Sequence, residues 1–331
     1  HELVNIIKKS PERFAFGFVN ACLRRFTRES ETILTNLKDI PEYQYAHPDW
    51  LMTTIQNTWP HEWQNILEAN NQHGPMTLRV NLKCHSRSDY MNKAMLNAIP
   101  GTYSPASITL QHPLAVDEIY GFEQGLISVQ DEAAQIAAQL LDLKPKLRVL
   151  DACAAPGGKT AHILETETVE CIALEPQAYR FNKLQATLKR LNLSAHCIQA
   201  DATQIASWWD GKPFDRILID APCSGSGVIR RHPDFKLRPN ASQLFINTPI
   251  QAKLLETLWP LLTPGGLLVY ATCSILPEEN DEQIQRFLQN HSEAISLAPS
   301  IQPGIRTPYG QQILPGTHAM DGFYYAVLQK K

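Results

Sequence analysis

Two cysteines stand directly behind apolar runs of the kind that form buried strands. Cys223 sits in Asp220-Ala221-Pro222-Cys223-Ser224, after the run 214–219, and Cys273 in Ala271-Thr272-Cys273-Ser274, after 267–271. Short apolar runs bounded by turn residues read as parallel strands covered on both faces. Ligands of open α/β sheets bind outside the carboxyl ends of such strands, so both sulfurs fall where a ligand would sit. The thiolate is the nucleophilic form of cysteine, and two thiols at one sheet edge suggest covalent chemistry on an electrophile.

A cofactor is suggested upstream. A strand over 148–151 ends at Asp151; Ala152-Cys153-Ala154-Ala155-Pro156-Gly157-Gly158-Lys159 follows, and Thr160 continues into a helix. Gly157 and Gly158 are expected to let the backbone approach a ligand at the free N–H groups of a helix start. Gly158-Lys159-Thr160 also resembles the end of a P-loop, but that pattern needs glycine where Cys153 stands, and Pro156 removes one N–H from the phosphate cradle. A Gly-x-Gly-x-x-Gly dinucleotide fingerprint does not occur after this strand. Acids end the following strands instead: Glu175, Asp201 and Asp220. Any one of them alone could cap a helix or turn. Carboxylates on successive strands beside a glycine turn fit an adenosyl ligand without phosphate, and S-adenosyl-L-methionine is the implied cofactor.

These two ingredients meet in one reaction. Carbon 5 of cytosine is a poor nucleophile until a group adds to carbon 6, and a thiolate suits that reversible addition. A methyl sulfonium can then be attacked, after which the carbon-5 proton and the enzyme sulfur must leave. A second thiol beside the first gives a rationale for two cysteines. A free thiol is only a few per cent ionised at neutral pH, so positive charge is needed nearby, and Lys159 is the candidate. Asp220 is the candidate for stabilising charge that develops on the base. Cys22, Cys171 and Cys197 are read as small buried hydrophobes.

The elements that must position these groups follow from periodicity. Strands are expected at 148–151, 169–174, 195–199, 214–220, 267–271 and 323–328, and helices at 158–164, 177–191, 243–262 and 277–290. Such alternation predicts a mostly parallel sheet with helices on both faces. Ser128-Val129-Gln130-Asp131 reads as a capping box opening a helix through Ala133, Ile136, Ala137, Leu140 and Leu141. This catalytic domain is expected over 128–331. Before it, a small α+β unit over 50–127 is expected from helices at 50–58, 63–70 and 89–99 and strands at 76–82 and 108–110. Residues 31–49 read as a linker. Residues 1–30 carry one apolar stripe (Phe14, Phe18, Val19, Cys22, Leu23, Phe26) that cannot form a core alone, and read as the tail of a helical domain. The chain opens on His1 rather than Met, and its true beginning is expected to be missing.

Composition narrows the class. The chain has 331 residues, 44% apolar and 19% charged, which is ordinary for a globular protein with room for two domains. No apolar run is long enough to span a membrane. Seven cysteines, an odd number with no pair two residues apart, argue against a disulfide framework and a zinc knuckle; a reducing cytoplasm fits, and no metal is expected. A net charge of −3 means that any nucleic-acid contact must come from local basic patches. One is Lys8, Lys9, Arg13, Arg24, Arg25 and Arg28; the other, just after the Cys223 loop, is Arg230, Arg231, Lys236 and Arg238. The second is the better candidate for a polyanionic substrate.

The assembled motifs resemble the RNA cytosine-5 methyltransferases, most closely the bacterial 16S ribosomal RNA small-subunit methyltransferase B family, also called the Fmu or Sun family. The carriers are Asp151-Ala152-Cys153-Ala154-Ala155-Pro156-Gly157-Gly158-Lys159-Thr160, Asp220-Ala221-Pro222-Cys223-Ser224-Gly225-Ser226-Gly227, and Ala271-Thr272-Cys273-Ser274 with Glu278-Glu279-Asn280. Supporting matches include Arg79-Val80-Asn81 and Asp321-Gly322-Phe323-Tyr324-Tyr325-Ala326. The resemblance implies a Rossmann-like S-adenosylmethionine-dependent methyltransferase sheet, an RNA-recognition-like module at 50–127, and at 1–30 the last helix of an antitermination-factor-like RNA-binding domain. It places the nucleophile on Cys273 and product release on Cys223, an order the chemistry alone leaves open. Cofactor contacts fall on Ala152, Cys153, Ala154, Ala155, Pro156, Gly157, Gly158, Lys159, Glu175, Asp201 and Asp220. Glu175 stands where the family usually has Asp, which lengthens its reach by a methylene. The partner implied is 16S ribosomal RNA not yet assembled into the subunit. The competing classes are a P-loop-like ATPase and a catalytically silent RNA-binding module.

Overall fold

The structure, a computed structural model, describes residues 2–301 and 303–331; His1, where the chain opens, lies outside the described residues. The chain starts with helices α1 (Glu2–Lys9), α2 (Phe16–Leu37) and α3 (Pro41–Tyr45). Helix α2 therefore runs well into the stretch read as a linker. The apolar stripe of its first half and of the turn before it lies open, with Phe14 87% and Phe18 74% exposed, and Cys22 is exposed rather than buried.

Helices α4 (Asp49–Thr58) and α5 (Trp63–Asn71) precede a four-stranded antiparallel sheet of order β2-β3-β1-β4. Its strands are β1 (Thr77–Val80), β2 (Ala98–Pro100), β3 (Ser107–Leu110) and β4 (Ile127–Val129), with α6 (Arg87–Ala94) packed through Tyr90. The helix expected to continue to residue 99 stops at Met95, which takes the left-handed conformation, and the chain turns into the edge strand β2. Helices α4 and α5 do not cover this sheet. Leu51, Met52, Ile55, Ile66 and Leu67 pack with Ile229, Phe235, Leu244, Ile275, Leu276 and Leu314, so they buttress the loops that carry the cysteines.

Ser128 belongs to β4, and the cap of α7 (Glu132–Leu140) is Asp131, whose carboxylate accepts the Ala133 N–H at 2.9 Å. The capping-box reading thus identified the right helix and the wrong capping residue. A second sheet follows, with order β11-β12-β13-β9-β8-β5-β6-β7 and β10 also paired to β13. Its parallel half alternates β5 (Arg148–Asp151), α8 (Gly158–Thr166), β6 (Glu170–Leu174), α9 (Ala178–Arg190), β7 (His196–Ile198), β8 (Phe214–Asp220), α10 (Thr248–Leu258) and β9 (Leu262–Thr272). Strand β9 already begins at Leu262, where a helix is expected to end, because α10 gives way at Leu258 to the 3-10 turn Trp259–Leu261, which carries Pro260. Beyond α11 (Asp281–Asn290), four strands are antiparallel to their neighbours: β10 (Ala294–Leu297), β11 (Ile305–Arg306), β12 (Gln311–Ile313) and β13 (Phe323–Lys330).

Two apolar layers cover the faces of this sheet. The chain passes from β5 to β6 and β7 on one side, then returns to place β8 on the other. The order reverses between β5 and β8, and the crevice at that switch point is where such sheets hold ligands.

Candidate active site

Pairing between β8 and β9 sets the two cysteines side by side. Asp220 lies opposite Ala271 in a parallel register, so Cys223 and Cys273 leave neighbouring strand ends together. Their sulfurs are 3.4 Å apart, and both are free thiols. The Gly227 N–H donates to the Cys273 carbonyl at 2.9 Å, and the Gly322 N–H to the Gly227 carbonyl at 2.8 Å. A side chain at 227 would lie 2.4 Å from the Gly322 oxygen, so only glycine allows these backbones to meet.

A cleft of about 570 Å³ opens over these strand ends. Cys223, Cys273, Asp220, Ala152, Cys153, Glu175 and Asp201 line it, all seven being sequence candidates. Glu175 is buried and its Oε1 accepts the Gln177 N–H at 2.9 Å. Asp201 is exposed at the mouth and accepts the Thr203 N–H at 2.8 Å. Pro176, Ala202, Ile250 and Leu254 supply apolar wall. Carboxylates able to accept ribose hydroxyls, beside an apolar slot for a flat base, fit an adenosyl group. Arg180 was missed by sequence reasoning. It lines the cleft, donates to the Ala155 carbonyl at 2.8 Å and lies 3.6 Å from Glu175. Its signal was only its place in the first turn of the helix after Glu175.

Lys159 and Asp220 are brought together as a pair, Nζ to Oδ2 at 2.8 Å, with the ammonium also over the Phe323 ring. Burial pulls the Lys159 pKa down, but the charge and hydrogen bond of Asp220, and then Cys273, outweigh it and the net shift is upward. The lysine thus stays charged beside the nucleophile candidates. The Cys223 thiol is pushed well up, first by its hydrogen bond to Cys273, then by burial and the charges of Cys273 and Glu279. Cys153 is likewise held neutral, first by burial and then by Asp220.

The glycine loop works differently from the expectation. Gly157 has φ +106° and faces Leu184 and Thr187 of α9, where a side chain would meet atoms at 3.1 Å. Gly158 faces Gln130, and its carbonyl accepts from Arg79 at 2.7 Å. Both glycines accommodate protein neighbours, while Ala152 and Cys153 present the loop to the cleft. Ala154 and Ala155 are core residues, and Pro156 is exposed with its carbonyl bonded by Thr187.

The second basic patch does not form an open surface. Arg230 is only 3% exposed, bonding Asp321 at 2.6 Å and the Ala319 carbonyl at 2.7 Å. Arg231 pairs with Asp131 at 3.1 Å and Asp321 at 3.0 Å. Lys236 donates to Asn71, and Arg238 stacks over Phe235 and donates to the Ser224 carbonyl at 3.2 Å. Arg230 is therefore withdrawn as a phosphate contact, because two acids inside the fold already neutralise these arginines. Among the described residues no cluster of three metal-ligating side chains occurs and no helix is long and apolar enough to cross a membrane.

Comparison with known proteins agrees with this geometry. Residues 47–117 match the ferredoxin-like domain of RsmF/B-like methyltransferases, and residues 138–329 match the 16S rRNA methyltransferase RsmB/F family. Ribosomal RNA small subunit methyltransferase B of Pseudomonas putida is 46% identical over 99% of this chain and 77% of its own length. The probable methyltransferase B of Coxiella burnetii is 42% identical over 100% of this chain and 80% of its own. The crystal structure of a methyltransferase homolog from Pyrococcus horikoshii superposes with a TM-score of 0.76 at 27% identity, covering 88% of this chain and 97% of that one. Both halves of the chain, the cleft and its relatives lead to one assignment: the protein belongs to the RsmB/F family of 16S ribosomal RNA methyltransferases, whose methyl donor is S-adenosylmethionine.

Proposed function

We propose that the protein methylates carbon 5 of a specific cytosine in 16S ribosomal RNA, in the cytoplasm, through a transient bond between Cys273 and carbon 6 of the base. The observation that carries this reading is the 3.4 Å contact between two free thiols on the wall of a cleft that also holds Glu175, Asp201 and Asp220. Bound there, S-adenosylmethionine supplies an electrophilic methyl group. Glu175 and Asp201 are the residues that would hold its ribose side, with Ala152 and Cys153 beside them.

The chain's own residues divide the remaining work. Cys223 is the sulfur that its surroundings keep protonated, and Cys273 is assigned the attack on carbon 6. The charged Lys159 lies within electrostatic reach of Cys273 and supports its ionised form. As the Cys273 sulfur bonds to carbon 6, electron density moves to the ring, and a proton reaches ring nitrogen 3 from the Lys159–Asp220 pair at the cleft wall. Carbon 5 then takes the methyl group and gives up its proton to solvent. The carbon 5–carbon 6 double bond reforms as the nitrogen-3 proton returns to the Lys159–Asp220 pair, the carbon–sulfur bond breaks, and Cys273 leaves as a thiolate that the Cys223 S–H steadies by hydrogen bonding.

The direct test is RNA carrying 5-fluorocytosine at the target. Fluorine cannot leave as a cation, so the protein should stall as a gel-stable adduct attached at Cys273. Lack of an adduct with every cytosine-bearing fragment of 16S RNA would defeat the covalent reading.

A further inference from the structure

Behind the two sulfurs lies a carboxylate that the reaction above does not use. Glu279, fully buried, ends the 3-10 turn Pro277–Glu279 that follows β9. Its Oε1 accepts the Ser224 N–H at 2.7 Å and the Gln251 amide at 3.3 Å, and its Oε2 accepts the Ser224 hydroxyl at 2.6 Å. Gln251, also fully buried, donates to the Pro222 carbonyl at 2.9 Å. The residues before and after Cys223 are thus both tied to one carboxylate.

Each of these contacts points a donor at Glu279. Burial pushes the Glu279 carboxyl above the usual carboxylate range, and the hydrogen bonds from Ser224, Ser274 and Gln251 pull it back; a protonated acid would have to donate one bond itself, so the pattern of donors fits the ionised form. The other cysteine is reached through hydroxyls: Ser274, next to Cys273, lies 3.0 Å from the Ser226 hydroxyl and 3.5 Å from that of Ser224. A buried charge fixed this close to a thiol disfavours the thiolate, because two negative charges cannot share a poorly solvated site cheaply.

We propose that Glu279 is a positioning residue: through Ser224 and Gln251 it aims Cys223 at Cys273, and its buried negative charge keeps Cys223 a proton-bearing thiol. The other groups around Cys223 fit this assignment. Cys273 from the end of β9 shares a hydrogen bond with it, Tyr270 from β9 stays neutral, Lys159 of α8 is paired with Asp220, and the Gly225 backbone favours the thiolate. Asn247, which caps α10, and Ile250 and Leu254 within it line the cleft and carry no titratable group. The consequence for catalysis, a fixed division between one thiolate and one thiol, rests on the function proposed above.

The test uses the full chain without RNA. Alkylation by iodoacetamide is followed across pH, with the Cys223 and Cys273 peptides resolved by mass spectrometry. In Glu279→Gln the Cys223 midpoint should fall by about one pH unit or more, a tenfold gain in thiolate below the midpoint. Glu279→Asp, which keeps the charge, should stay near wild type. An unchanged Cys223 profile in folded Glu279→Gln overturns the charge role, as does an equal shift in both variants. Ser224→Ala keeps the carboxylate and removes a tether, so it tests aim even where Glu279→Gln fails to fold. Diamide, which is reduced as it oxidises paired thiols to a disulfide, should join Cys223 to Cys273 several-fold more slowly in that variant, and an unchanged rate overturns the aiming role. If the alkylation result holds while no 5-fluorocytosine adduct forms, the thiol assignment stands and the proposed reaction falls.

Discussion

The sulfurs of Cys223 and Cys273 touch at 3.4 Å although fifty residues separate them in the chain. Neighbouring parallel strands with Asp220 opposite Ala271 bring them together, and the Gly227 N–H bond to the Cys273 carbonyl holds the two loops at that spacing. Such proximity makes their roles separable by experiment, since a donor and an acceptor of one hydrogen bond fail in different ways when removed.

Cys273→Ala should lose methyl transfer by at least about a thousandfold, because it removes the atom that activates carbon 5. Cys223→Ala should still attack RNA but release it slowly, leaving a covalent complex after one turnover. Methyl incorporation together with denaturing gels separates the two. Wild-type turnover in Cys273→Ala would remove the basis of the mechanism.

Arg79 ties the small sheet to both ends of α8. It is fully buried, with Nε and Nη2 bonding both oxygens of Glu165 at 2.8 and 3.1 Å and Nη1 bonding the Gly158 carbonyl at 2.7 Å. Arg79→Met should cost about 3–5 kcal/mol in urea unfolding, since it strands a buried carboxylate. Adding Glu165→Met should recover most of that loss. A double variant whose loss equals the sum of the Arg79→Met and Glu165→Met losses would mean the pair is not coupled.

RNA affinity should divide the two basic stretches. Lys8, Lys9, Arg13, Arg24, Arg25 and Arg28 are all exposed on the first two helices and the turn between them, whereas Arg230 is neutralised inside the fold. Replacing Lys8 and Lys9 by Ala should lower the salt dependence of 16S RNA binding, by up to about 0.9 in log–log slope for each phosphate no longer neutralised. Arg230→Ala should leave the slope unchanged and lower the unfolding temperature instead. A reduced slope for Arg230→Ala would restore it as a phosphate contact.

The parallel strands were legible because each carries an apolar run ending in an acid or cysteine, and that end is where the cleft forms. Cys223, Cys273, Glu175, Asp201 and Asp220 could be placed on one wall for that reason alone. Charge partners were not legible. Arg230 and Arg231 read as a basic patch because Asp131 and Asp321, which neutralise them, lie about a hundred residues away in sequence. Glu279 was visible only as part of a motif, since its hydrogen bonds to Ser224 and Gln251 cross three elements. The short strands β10, β11 and β12 escaped because two to four residues carry too little alternation to stand out.

Asp151 makes the stability of the protein depend on pH. It is fully buried at the end of β5; Oδ2 accepts the Thr160 hydroxyl at 2.7 Å and Oδ1 has no hydrogen-bond partner. Burial, reinforced by the Asp220 charge, raises its pKa to about 7 against the pull of Thr160 and Lys159. An unfolded aspartate titrates near ~4, so between pH ~4 and ~7 the native state binds the extra proton and stability falls as pH rises. The penalty is complete above the folded pKa and absent below the unfolded one, with an upper bound of about 4 kcal/mol. Asp151→Asn can keep the Thr160 bond and cannot ionise. Its unfolding free energy relative to wild type should therefore rise from pH 5 to pH 8 when both are measured without ligand. A difference that stays constant across that range would show that Asp151 is not held protonated by its surroundings.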